Sequence, residues 1–486
     1  MRQPSGIHIP LDLQSKEPLT LQIVRGLAMA IRNGMLKPGQ PLPGSRALAE
    51  HLDVHRNTVL AALRELEAEG WIESRQGSGT YVSSKLPDLA PGKWGPVEEA
   101  PPRPAVPGFD LPDGLNPITA PFLTELNLAD GLPDVRQVPT EAMARGYQRA
   151  IRLHGGELLQ YGEPRGNSSF RKLLSEMLRE RRGLAFAPDQ IQVTRGSRMA
   201  LDLVCMTIFR DGGVLAVEDP GQRSVWETIQ QSAQVRLLPI PVDGEGLRTD
   251  VLEAALRTEK VGLLYLTPHR QIPTTVALSP ARRMKILELA QRHRMAILED
   301  DSEGEFTYEG KPLLPLACED PTGQVIYMSS LSRLLAPGLR LGFLAAPQSL
   351  MDRLARVRVR MDWQGDRVLE WSMGDLIRDG DLARHIRKVR RLYQERRDLL
   401  CEGLRQDFTG CLEFQVPDGG LALWVRGLPG FPFQQWLERC RSRGVLLHPG
   451  KHFSFAEQEL SATRMGFAAL DPGELKDALH RMHSAL

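Results

Sequence analysis

The 486-residue chain is too long for a single hydrophobic core, so two or three domains are expected. With 42% hydrophobic residues, 25% charged residues and a formal net charge of +1, it excludes wholesale coating by nucleic acid and a polybasic membrane anchor. An even total still leaves room for a basic patch on one small domain. Five scattered cysteines, Cys205, Cys318, Cys401, Cys411 and Cys440, lack CxxC spacing; neither a disulfide framework nor a metal site is expected, and the compartment reads as reducing. No apolar run has signal-peptide or membrane-spanning character, so a cytoplasmic protein without a membrane partner is expected.

Residues 14–84 are dense with short helices. Val24, Leu27, Ala28 and Ile31 fall at i, i+3, i+4, i+7 and predict a helix ending near Asn33-Gly34. After the turn LKPGQPLPGSR, residues 47–52 predict a second helix with Ser45 as its cap. Val54-His55-Arg56 predicts a turn, and residues 58–69 a third helix with Val59, Ala62, Leu63 and Leu66 on its buried face. WIESRQGSGTYV then predicts a hairpin with a Gly-Ser-Gly tip.

Three helices and a hairpin make a winged helix-turn-helix, which places the start of its third helix in the DNA major groove and its hairpin along the backbone. The residues there suit that task. Arg46 opens the second helix, Arg56, Asn57 and Thr58 open the third, and Arg75, Gly77 and Gly79 form the wing. Arginine offers a planar fork to guanine edges and phosphates, and glycine lets backbone amides approach phosphate without a Cβ in the way. Taken singly, each of these arginines reads as solvated surface charge; set in this pattern, together they read as a DNA surface.

Residues 85–117 carry a proline every few positions and predict an extended, semi-stiff linker. Residues 118–486 alternate strand-like runs (QIQVT, VLAVE, VRLLPI, GLLYLT, MAILED, VIYM, LGFLA) with helical stretches such as 197–208, 224–231 and 280–293. That alternation predicts an α/β domain whose mostly parallel sheet is flanked by helices. Beyond Pro347 the chain becomes helix-rich, with the basic amphipathic stretch LARHIRKVRRLYQERRDLL read as mostly a solvated face, and a smaller α+β part follows.

The run LKPGQPLPGSRALAEHLDVHRNTVLAALRELEAEGWIESRQGSGTYV, residues 36–82, resembles the GntR family of regulators, with Gly44 and His55 in place of two family serines. The remainder resembles fold-type I aminotransferases, as in the MocR subfamily that fuses the two modules. LQYGEPRG, VTRGSRMALDL, VEDPG, TPHRQIPT, LEDDSEGEF, SSLSRLLAPGLRLGF and TRMGFAAL stand in family order across residues 130–470.

The resemblance implies a pyridoxal phosphate pocket in which Asp300 pairs with the pyridinium nitrogen. Tyr161, Ser332 and Arg340 would face the phosphate, and Arg464 would clamp a carboxylate. The family's Schiff-base lysine is replaced by Arg333, a tyrosine by Ser302, another by Gln222, a histidine by Arg270 and a glutamine by Arg198. A guanidinium is a permanent cation and a poor nucleophile, so pyridoxal phosphate binds non-covalently at most.

Two readings of the pocket stand side by side. In one, Arg198, Arg270 and Arg333 form an anion site for a small anionic or amino-acid-like effector; in the other the pocket is vestigial and Arg333 pairs with an acid such as Asp300. The resemblance further implies a homodimer in which Tyr161 serves the neighbouring subunit's pocket, with a double-stranded DNA operator as partner. The expected function is therefore transcriptional regulation by a catalytically inactive aminotransferase-like protein. The alternative is an active pyridoxal-phosphate aminotransferase with a DNA-binding appendage.

Overall fold

The structure is a computed structural model, and it describes residues 9, 11–12, 15, 17–75, 78–86, 126–129, 131–232, 234–310 and 312–486. The chain divides into two compact units, Met1–Ile118 and Thr119–Leu486. Almost all of the expected linker, and Gly77 of the expected wing, lie outside the described residues. Among the described residues no helix is long and apolar enough to cross a membrane.

In the first unit, helix α1 (Leu19–Arg32) turns Ile23, Val24, Leu27, Ala30 and Ile31 inward and ends at Asn33, before Gly34 in the left-handed region at φ +73°. Helix α2 is Ser45–His51 and helix α3 is Arg56–Ala68. The inward face of α3 is Val59, Ala62, Leu63 and Leu66, as the 3-4-7 spacing predicts. Strands β1 (Ile72–Arg75) and β2 (Gly79–Val82) pair antiparallel from Ile72↔Val82 to Arg75↔Gly79. Leu48, Trp71, Ile72 and Val82 close the core over α1 and α3. Each fully buried leucine there contributes about 1.5–3 kcal/mol.

Two local expectations are corrected. Ser45 is the first residue of α2, whose cap Gly44 makes no side-chain bond. Arg56 belongs to α3 rather than to the preceding turn, because the His55 ring nitrogen Nδ1 accepts the Asn57 N–H at 3.2 Å and starts the helix early.

The second unit is built on an eight-stranded sheet. Across it run Ile191–Thr194, Gly342–Ala345, Val325–Ser330, Ala296–Asp300, Val261–Leu266, Gly213–Asp219, Val235–Asp243 and the short edge strand Gly246–Leu247. The middle five strands are parallel neighbours; antiparallel pairing is confined to the two sides of Gly342–Ala345 and to the Gly246–Leu247 edge. The seven predicted strand runs all appear in it; the two-residue edge strand is too short to show a period. Apolar clusters cover both faces of the central strands, which accounts for their unbroken apolar runs.

A smaller three-stranded antiparallel sheet, Leu412–Phe414, Ala422–Gly427 and Ala462–Gly466, packs with helices Asp381–Asp407, Phe433–Ser442 and Pro472–His483. The basic stretch forms most of helix Asp381–Asp407 and is only partly a solvated face. Arg396 and Arg397 are each 2% exposed, and Arg396 Nη2 lies 2.8 Å from the buried carboxylate of Asp134. Arg384, Arg387, Lys388 and Arg391 remain exposed.

Candidate functional site

The first unit presents its polar residues at helix starts. Arg46 is exposed in the first turn of α2; Arg56 and Asn57 are exposed at the start of α3, with Thr58 half-buried behind them. Arg56 Nε donates to Ser45 Oγ at 3.3 Å, so the two helix starts are tied together. On the hairpin, Arg75 Nη2 lies 2.6 Å from Glu73 Oε1 and its guanidinium sits 4.6 Å from the Tyr81 ring centroid. Gly79, at φ +113°, has open space where a Cβ would project. A backbone of that kind approaches a phosphate without steric hindrance.

In the second unit a cleft of about 300 Å³ opens where several parallel strands end and helix Ser197–Ile208 begins. Crevices beyond the carboxyl ends of such strands are the usual ligand positions in this architecture. Arg198, Asp300, Ser332, Arg333 and Arg340 all line it, together with Tyr265, which the sequence reading did not single out. No lysine is among the described residues lining it.

Asp300 ends its strand with its carboxylate in the cleft. Tyr265 donates its hydroxyl to Oδ2 at 2.8 Å, and the Ser302 N–H donates to Oδ1 at 3.0 Å. Desolvation pushes the Asp300 carboxyl above the usual carboxylate range, against the opposing pull of Ser302, Tyr265 and the Arg333 charge.

At the other end of the cleft, the buried hydroxyl of Ser332 has no hydrogen-bond partner among the described residues. Its backbone N–H is held by Ser330 Oγ at 3.1 Å. Arg340, in the left-handed region at φ +49°, donates to the Arg195 carbonyl at 3.1 Å and lies against Gly196, just ahead of the helix start at Ser197. A free buried hydroxyl, an exposed guanidinium and the amide end of a twelve-residue helix together make a setting for a phosphate.

The remaining predicted residues are placed elsewhere. Arg270 is buried outside the cleft: its Nη2 donates to Thr307 Oγ1 at 3.2 Å and reaches Asp418 at 3.4 Å. Its guanidinium packs on Gly419 and Gly420, where a Cβ would collide with it, so it is withdrawn from the anion site. Arg464 is also outside the cleft lining and is 2.9 Å from Glu303. Arg333 donates to the Gly131 carbonyl at 2.8 Å, and among the described residues the acid within ion-pair distance is Glu303, at 3.8 Å, rather than the expected Asp300.

Tyr161 is 83% exposed, with its ring 5.5 Å from that of Trp363, and does not line its own chain's cleft. Glu303 escaped the sequence reading although it stands in the conspicuous run LEDDSEGEF. Its partners Arg464 and Leu421 are more than a hundred residues away.

The floor beside the cleft is a buried charge cluster. Asp301 lies 2.6 Å from Arg182 Nη2 and 2.9 Å from His269 Nδ1, and accepts the Tyr327 hydroxyl at 2.7 Å. Burial opposes its charge, but His269 and Arg182 outweigh it and bring the carboxyl down to about 2.

Residues 124–482 match the family of class I and II aminotransferases, and residues 19–82 match the bacterial regulatory proteins of the gntR family. Over nearly its full length the chain is similar to the probable rhizopine catabolism regulatory protein MocR of Rhizobium meliloti, 29% identical over 475 residues, covering 98% of this chain and 95% of that protein. It is also similar to the aromatic-amino-acid aminotransferase 1 of Thermococcus litoralis, 30% identical over 366 residues, covering 74% of this chain and 87% of that one. Among solved structures it resembles LysN, the α-aminoadipate aminotransferase from Thermus thermophilus, complexed there with N-(5'-phosphopyridoxyl)-L-leucine; the TM-score is 0.69 at 26% identity, over 75% of this chain and 92% of that one. With a gntR module of three helices and a wing ahead of a large, mainly parallel sheet, the chain belongs to the class I and II aminotransferase family and is a GntR-type transcriptional regulator with an aminotransferase-like domain.

Proposed function

We propose that the aminotransferase-like domain holds a phosphate-bearing ligand of the pyridoxal phosphate type without covalent attachment and without turnover. In this reading Ser332, Arg340 and the start of helix Ser197–Ile208 hold the phosphate, Arg198 adds positive charge, and Asp300, oriented by Tyr265 and Ser302, pairs with a pyridinium nitrogen. The carrying observation is Arg333 in the cleft, with no lysine among the lining residues described. When bound through an amine, pyridoxal phosphate supplies an electron sink for carbanion chemistry. None of the described lining side chains offers that amine, because a guanidinium keeps its proton and its nitrogens attack aldehydes poorly. The orphaned Ser332 hydroxyl favours a retained ligand over a vestigial cleft.

The gntR module then reads a double-stranded DNA operator through Arg46, Arg56, Asn57, Thr58, Arg75, Gly77 and Gly79, with the aminotransferase-like domain as dimerisation and effector domain. The exposed Tyr161 and Trp363, whose rings lie 5.5 Å apart, support a homodimer formed through that aromatic patch. Sedimentation of the purified chain tests the dimer.

The ligand reading is tested by titrating pyridoxal phosphate into the protein, followed by borohydride reduction and mass spectrometry. Saturable binding with no adduct surviving reduction is expected. A reduced adduct on any residue of the cleft, or transamination of an amino acid, would overturn the non-catalytic reading.

A further inference from the structure

The long helix Asp381–Asp407 sorts its cations by face. Arg396 and Arg397 are buried and paired with acids, and the half-buried Arg390 donates to the Thr307 carbonyl. Arg384, Arg387, Lys388 and Arg391 are exposed. Their spacing of i, i+3, i+4 and i+7 sets them along one face as a stripe about 10 Å long. Between Asp381 and Glu395 the helix carries no acid. Arg384 has Asp381 at 2.5 Å, whereas Arg387, Lys388 and Arg391 have no acid at ion-pair distance among the described residues. Other helical arginines of this unit are matched one turn away, as in Arg223–Glu227, Arg292–Glu288 and Arg481–Asp477. In a chain of 61 basic and 60 acidic residues, three neighbouring unmatched cations are a local excess of positive charge.

We propose that this stripe is a second DNA contact, apart from the gntR module, which grips the phosphate backbone of a duplex without reading its sequence. Each strand of a duplex presents a phosphate about every 3.4 Å along the axis, so a stripe about 10 Å long faces about three of them. Lysine and arginine contacts of this kind hold a duplex in place and carry no base information. Duplex DNA is also the polyanion that a GntR-type regulator meets. A second copy of the chain is a poor occupant, because meeting stripe to stripe across a two-fold axis would set like charges face to face.

The experiment compares full-length wild type with Arg387→Ala/Lys388→Ala/Arg391→Ala. Both are titrated by fluorescence anisotropy against a random-sequence duplex of about 60 base pairs over a salt series. Loss of three phosphate contacts should lower the slope of log affinity against log salt by about 2 to 3. Removing the same charge from scattered exposed positions, Arg292→Ala/Arg426→Ala/Arg441→Ala, should change that slope by less than about 1. Placing the triple variant on Arg56→Ala reads the stripe apart from the gntR module, and the further drop should be of the same size. Glutamine also suits an exposed helix face, so a glutamine triple repeats the test should the alanine protein fail to fold.

An unchanged slope in a folded triple variant would overturn the proposal, as would an equal drop in the scattered variant. A triple variant that sediments as a smaller species than wild type would make the stripe a subunit contact instead. One that keeps its duplex binding but loses binding to vesicles of phosphatidylserine and phosphatidylcholine in equal parts would make it a membrane contact. Should Arg56→Ala bind like wild type while the triple variant loses slope, the stripe stands and the assignment of Arg56 falls.

Discussion

The Tyr265 hydroxyl stands 2.8 Å from Asp300 Oδ2, joining the ends of two adjacent parallel strands at the floor of the cleft. That bond holds the carboxylate in place and favours its ionised form against the desolvation that raises its pKa. Tyr265→Phe removes one donor, so the carboxyl protonates more readily and pairs less well with a pyridinium. Affinity for pyridoxal phosphate is expected to fall by about tenfold, with inorganic phosphate binding unchanged, as measured by calorimetry near neutral pH.

On the DNA side, Arg56 opens α3 and is braced by Ser45 at 3.3 Å. If it reads a base edge, Arg56→Ala costs about 1–3 kcal/mol of operator binding and relaxes specificity at one position. If it contacts phosphate instead, the loss is uniform across sequences and the salt slope drops by about one. Fluorescence anisotropy on operator and scrambled duplexes over a salt series separates the two; an Arg56→Ala protein that binds both like wild type would remove Arg56 from the DNA surface.

The basic helix Asp381–Asp407 should show two kinds of arginine. Arg396 is tied to Asp134 at 2.8 Å with both side chains buried, so Asp134→Ala strands a cation in the core. A loss of about 3–5 kcal/mol in urea unfolding is expected. The exposed Arg387→Ala should stay within about 0.5 kcal/mol of wild type. Equal effects at the two positions would contradict the partition of this helix.

Burial pushes Glu218 and Glu370 up to about 7 from an ordinary value of 4.5. Each is held in its protonated form more tightly by the folded chain than by the unfolded one. Their stabilising contribution is therefore complete below the unfolded value and is lost as pH rises through about 7. The opposite case, Asp301 at about 2, loses its contribution only under strong acid. Melting temperature is expected to fall between about pH 5 and pH 8, and Glu218→Gln/Glu370→Gln should flatten that slope. A double variant with an undiminished slope would assign the effect to other groups.

Short-range patterns in the chain carry much of the fold. The periodicity of Val59, Ala62, Leu63 and Leu66 specified the inward face of α3, and the apolar runs specified seven of the eight strands. The arginine at position 333, legible in the sequence, carries the proposal of a non-covalent ligand. Local signals misjudged the helix starts by a residue or two: Ser45 lies inside the second helix, and the His55 ring caps the third.

The tertiary structure alone decided which charges meet. Arg270 and Arg198 are both cations in cleft motifs, yet one packs under Gly419 and Gly420 while the other lines the cleft. Arg333 has Glu303 within ion-pair distance, and Arg464 is paired with the same carboxylate from a strand 161 residues further along the chain. Ion pairing depends on distance and desolvation in three dimensions, and neither quantity is encoded in spacing along the chain.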